Sequence, residues 1–137
     1  MNIHQISVFL ENRTGQLAEI THLLAENHVD IRALSIAETS DYGLARMIVD
    51  DAHKASSVLL AHGDILSMTP VWAVEVPDRP GGLNIMLNAL AEANVNVEYM
   101  YASLGAKQEE HAYMIFRVED VTVASAVLDK KGIKTME

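Results

Sequence analysis

The chain writes one fold twice. Through its first part, residue i aligns with residue i+66, so that Ile6, Val8 and Leu10 fall on Trp72, Val74 and Val76. These apolar positions alternate with Ser7, Phe9, Ala73 and Glu75, and a period of two is the inward face of a strand. Leu17, Ile20 and Leu24 then fall on Leu83, Met86 and Leu90 at steps of three and four, one face of a helix. Ala25–Ile31 (AENHVDI) matches Ala91–Val97 (AENHVDI against AEANVNV), where Asn and Asp interrupt the helical pattern and an extended run begins. From Val49 onward the offset becomes 69, so three residues are gained around Gly105–His111, the counterpart of Ser40–Gly43. A turn between two strands tolerates such a gain.

Second helices are predicted over Ala52–His62 and Val121–Lys131, each followed by a glycine, Gly63 or Gly132, where helices commonly stop. Last strands follow near Ile65–Thr69 and Ile133–Met136. Each half therefore reads β-α-β-β-α-β. The fold class is α+β, with two tandem ferredoxin-like units, each a four-stranded antiparallel sheet carrying two helices on one face. The units divide as residues 1–69 and 70–137. With only Thr69–Val71 as a linker, they are expected to pack side by side and move little relative to each other.

Composition removes several functions. Nineteen acidic against ten basic residues give a net charge of -9, with no Lys/Arg run to follow a phosphate backbone, so nucleic acid is not an expected partner. There is no cysteine, hence no disulfide and no thiolate nucleophile, which suits a reducing compartment and makes the cytoplasm the expected location. No apolar run approaches membrane-spanning length, and the N-terminus lacks a signal-peptide pattern. The histidines His4, His22, His28, His53, His62 and His111 have no metal-ligand spacing and read as solvated side chains. No nucleophile elbow, Walker lysine or Gly-x-Gly-x-x-Gly is present. Asp50, Asp51, Glu109, Glu110, Glu119 and Asp120 fall at turns and helix starts, where they favour the helix dipole and solubility. Neither a catalytic constellation nor a cofactor or metal is expected.

The repeated loops carry the remaining signal. Asn12–Leu17 (NRTGQL) and Asp78–Leu83 (DRPGGL) each join the first strand of a unit to its first helix. Asn12 or Asp78 can bond loop or helix-end amides, Pro80 suits a first helical turn, and Gly15 and Gly81 let another group approach the backbone. Unpaired amides at a helix start, with the positive end of its dipole, can hold a carboxylate. The same residues also suffice for a plain turn and cap.

With DRPGGL after the first strand and LAEANVNVEYMY running from the first helix into the second strand, the chain resembles the ACT domain family of small regulatory domains. The tandem covers essentially all of it and is similar to stand-alone double-ACT proteins without a catalytic domain. The resemblance implies that a free amino acid or similar small metabolite binds between ACT units, against the glycine-containing loop of one and the second strand of a neighbour. Carried onto this chain, the ligand-binding residues are Asp78, Arg79, Gly81, Gly82 and Leu83, with Asn12, Arg13, Gly15, Gln16 and Leu17 in the other copy. The second loop fits the family pattern better, since Thr14 replaces the usual Pro and Gln16 follows the Gly in the first.

Tyr99 and Tyr101 stand where the first copy has Ala33 and Ser35. They either cover the sheet or a contact between units, or wall a ligand pocket. The expected function is that of an amino-acid sensor. No enzymatic activity is expected, and a homodimer is expected to complete a four-unit assembly because each sheet leaves an edge exposed. The alternative is a regulatory or scaffolding subunit that binds a metabolic enzyme and no metabolite.

Overall fold

A computed structural model of the chain describes residues 3–11, 13–38, 41–104 and 111–136. Its elements follow the duplicated order: β1 (Ile3–Glu11), α1 (Gln16–Glu26), β2 (Ile31–Glu38), β3 (Tyr42–Val49), α2 (Ala52–His62), β4 (Leu66–Pro77), α3 (Gly82–Glu92), β5 (Val97–Ala102), β6 (His111–Val118), α4 (Val121–Lys130) and β7 (Thr135–Met136). Two compact units result, one spanning His4–Pro70 and one running from Val71 onward and taking in Ile3.

In the first unit the antiparallel strands order as β2-β3-β1, and the Phe9 N–H donates to the Ile65 carbonyl at 2.9 Å, bringing the chain that enters β4 alongside β1. In the second the order is β5-β6-β4-β7. Both are the ferredoxin-like arrangement. Ile6, Val8 and Leu10 meet Ile20 and Leu24 of α1 and Ala55 and Leu59 of α2 in one core. Trp72, Val74 and Val76 meet Met86 and Leu90 of α3 and Ala124 and Leu128 of α4 in the other. The strand and helix periods thus point at the same interior in both copies.

Three local expectations change. Thr69–Val71 is no loop but lies within the continuous strand β4. β7 is confined to Thr135–Met136, although Lys134 still accepts a hydrogen bond from the Glu75 N–H at 3.0 Å. Pro80 precedes α3 by two positions, because Gly81 is the residue at the helix N-cap. The turns after α1 and α3 place His28 and Asn94 at φ of 58° and 57°, the left-handed region. That conformation ends each helix and lets the Val29 and Val95 N–H groups return to Leu24 and Leu90.

Candidate functional site

The four helix starts are of two kinds. At α2 and α4 an aspartate caps the helix: Asp51 Oδ1 accepts from the Lys54 N–H at 3.0 Å, and Asp120 Oδ1 from the Val123 N–H at 3.1 Å. At α1 and α3 the N-cap residue is a glycine, Gly15 with φ 87° or Gly81 with φ 86°, and no side chain caps the helix. A left-handed residue there turns the strand sharply into the helix, and glycine adopts it without the steric cost of a side chain. Open helix starts therefore occur in the two repeated loops.

The second loop is held by its own backbone. Arg79 N–H donates to the Pro77 carbonyl at 3.0 Å and Gly82 N–H to the Arg79 carbonyl at 2.9 Å. Gly82 is buried, and a Cβ on it would collide with the Pro77 carbonyl. Asp78, Arg79 and Gly81 are exposed, and Leu83 is 37% exposed rather than on the buried helix face where its spacing put it. Asp78 does not bond the helix-end amides. Among the described residues the N–H groups of Leu83 and Asn84 have no acceptor, and no carboxylate pairs with Arg79. The loop that carries the exposed Arg79 thus leads into two free amides at the positive end of a helix.

The first loop has the same turn and different charges. Arg13 N–H donates to the Glu11 carbonyl at 2.8 Å, repeating the contact made by Arg79. Its guanidinium, however, stands 3.6 Å from the Glu11 carboxylate and 3.3 Å from that of Glu19. The second copy has Pro77 and Ile85 in those places, which leaves Arg79 uncompensated. Gln16 replaces Gly82, and its Oε1 is buried without a hydrogen-bond partner. Leu17 is half-buried, and Asn12 lies outside the described residues.

Within their own unit, Tyr99 and Tyr101 are not brought to the loop. Tyr101 pairs with Ile115, and Ile115 with Ala73. That register places Tyr101 four residues along β4 from Pro77, about 13 Å, and two strand spacings across, about 10 Å. Tyr101 is buried and Tyr99 half-buried. One cavity of the second unit, of about 600 Å³, is lined by Asn94, Val95, Asn96, Glu119, Asp120 and Val121, and includes no residue of the loop. Among the described residues no group of three or more histidines or carboxylates is placed to hold a metal, and no helix is long and apolar enough to cross a membrane.

A ferredoxin-like unit written twice, with an open glycine turn before each first helix, defines a class of paired regulatory domains. The chain matches the ACT domain pair family over residues 1–137 and belongs to it. The crystal structure of a protein from Bacteroides thetaiotaomicron is 34% identical, with a TM-score of 0.92 over 99% of this chain and 92% of that one. The regulatory subunits of aspartate kinase from Thermus thermophilus and Thermus flavus are each 20% identical, with TM-scores of 0.68 and 0.63. Those alignments cover 93% and 95% of this chain and 91% and 92% of the subunits, and the likeness is one of fold. No curated protein sequence matches the chain.

Proposed function

We propose that the protein is a regulator that binds a free amino acid, or a similar small anionic metabolite, at the loop of its second ACT repeat. The observation that carries this reading is Arg79, exposed and without a carboxylate partner among the described residues, beside the uncapped start of α3. The ligand carboxylate docks on the Leu83 and Asn84 amides and Arg79, and the exposed Asp78 carboxylate faces its ammonium group. Gly81 keeps the approach to the backbone open. Leu83, with Gly82 shaping the turn beneath it, offers an apolar contact to the ligand side chain. The first loop, with Arg13, Gly15, Gln16 and Leu17, is the weaker site because its cation is already neutralised. Tyr99 and Tyr101, on the second strand, are assigned to contact with a ligand held by a partner copy of the chain. The protein works as a cytoplasmic homodimer and as a binding protein rather than a catalyst.

The test is the melting temperature of the purified protein against each of the twenty amino acids. A ligand that binds only the folded state adds RT ln(1 + [L]/Kd), about 2.7 kcal/mol at a hundredfold excess over Kd. A rise with one or a few related amino acids, abolished in Arg79→Gln and Gly81→Asp with circular dichroism unchanged, is the expected result. No rise with any of them supports the alternative, a subunit that binds a metabolic enzyme and no metabolite. Light scattering checks the dimer.

A further inference from the structure

The first unit holds a side-chain cluster that the second lacks. His62, the last residue of α2, has Nδ1 2.8 Å from Asp64 Oδ2 and Nε2 3.2 Å from Glu19 Oε1. The other oxygen of Glu19 accepts from Arg13 Nη2 at 3.3 Å, and Arg13 Nε stands 3.6 Å from Glu11. Charges of alternating sign therefore run from the turn after α2, across the first turn of α1, into the first loop. A neutral imidazole has one N–H and would turn a lone pair toward one of its two carboxylates, whereas the imidazolium donates to both. The Asp64 side chain is only 8% exposed, so its charge is costly without a donor. The hydrogen bond and charge of Asp64, and after them the charge and hydrogen bond of Glu19, raise the His62 pKa against a lowering by partial burial.

The second unit serves as an internal control. In the places of Glu19, His62 and Asp64 it has Ile85, Lys131 and Ile133. Lys131 lies 3.7 Å from Glu92, and Ile133 packs on the core. The same fold is built there without the cluster, so the fold does not require it.

We propose that His62 is a proton-operated control on the charge of the first loop. Charged, it shares Glu19 with Arg13 and leaves the Arg13 guanidinium freer toward an anion. Neutral, it returns the full charge of Glu19 to Arg13 and closes the loop's cation. The groups facing His62 are Glu19 from α1 and Asp64 from the turn after α2, with Arg13 and Glu11 behind Glu19. His22, one turn further along α1, is occupied with Glu26 at 2.9 Å. The control concerns the charge of the loop itself and stands whether or not an amino acid binds there.

The test is an NMR titration of the His62 ring, assigned by its loss in His62→Gln, in the full-length protein and in Glu19→Gln and Arg13→Gln. The expected midpoint lies above the ordinary 6.5. It falls in Glu19→Gln, which removes a negative charge beside the ring, and rises in Arg13→Gln, which removes a competing cation. A wild-type midpoint at or below the ordinary value overturns the cluster, and a midpoint indifferent to Arg13→Gln overturns its link to the loop. Melting temperatures give a second reading. Because the folded pKa is raised, the contribution of His62 is present below its unfolded pKa and fades as pH rises through the folded value. The gap between wild type and His62→Gln is expected to be largest at about pH 5.5 and to close toward about pH 8.5. A gap of constant size reduces His62 to a packing role and overturns the proposal.

Discussion

The two loops share a turn and differ in what they do with its arginine. Both turn through a left-handed glycine into an uncapped helix, and both fold the arginine N–H back onto the strand. In the first, Glu11 and Glu19 neutralise Arg13, and Glu19 is tied in turn to His62. In the second, Pro77 and Ile85 replace those carboxylates and Arg79 is left to solvent. A duplicated fold fixes the backbone of a site while leaving its charges free to diverge. One copy has become a candidate anion site and the other a salt-bridged one.

The largest expected effect separates the loops by their backbone. Gly82→Ala drives a Cβ into the Pro77 carbonyl, a backbone atom that cannot swing aside, and is expected to cost about 3 kcal/mol. The loss is read from denaturant unfolding by fluorescence, since Trp72, the only tryptophan, is buried in the second core. The reverse probe, Gln16→Ala, is expected to stay within about 1 kcal/mol of wild type, because it removes a buried oxygen that has no partner. Equal losses at the two positions would mean that the loops are packed alike.

A smaller effect separates capped from uncapped helix starts. Asp51→Ala and Asp120→Ala are each expected to cost about 1 kcal/mol, and Asp78→Ala no more than about 0.5 kcal/mol. A loss at Asp78 matching the other two, measured by chemical denaturation, would show that it caps α3 and is not available to a ligand. The smallest effect is that of the loop arginines on stability. Arg13→Gln removes surface ion pairs and is expected to cost less than about 1 kcal/mol, less still in high salt. Arg79→Gln is expected to leave unfolding unchanged and to act on ligand binding alone.

Much of this was legible in the chain. Alternation at Ile6, Val8 and Leu10 and the helical steps through Ile20 and Leu24 reappear as one core, as do their counterparts from Trp72 to Leu90. Asp51 and Asp120 also fall where helices begin, and both cap them. Other positions misled because their spacing suits two outcomes. Leu83 continues a helical step but sits in the first turn of α3 and stays exposed there. Thr69–Val71 contains the proline of a linker, yet Pro70 lies within a strand, a place open to it where no ladder N–H is required. The His62 cluster carried no signal in histidine spacing. Asp64 is near it in sequence, and the Gly63 and Asp64 N–H groups turn back onto Leu60 and Leu59 to close the helix. Glu19, however, comes from another helix.

The sequence alone determined the duplication, the order of strands and helices, the two apolar faces and the position of the glycine turns. Those follow from periods and residue types that act over a few residues of chain. Only the tertiary structure decided which carboxylate meets which cation, placing Glu19 between Arg13 and His62 and, among the described residues, no carboxylate on Arg79, and it set Tyr101 far from the loop of its own unit. Charge pairing depends on a few ångströms between side chains from different elements, and packing sets that separation where no local pattern records it.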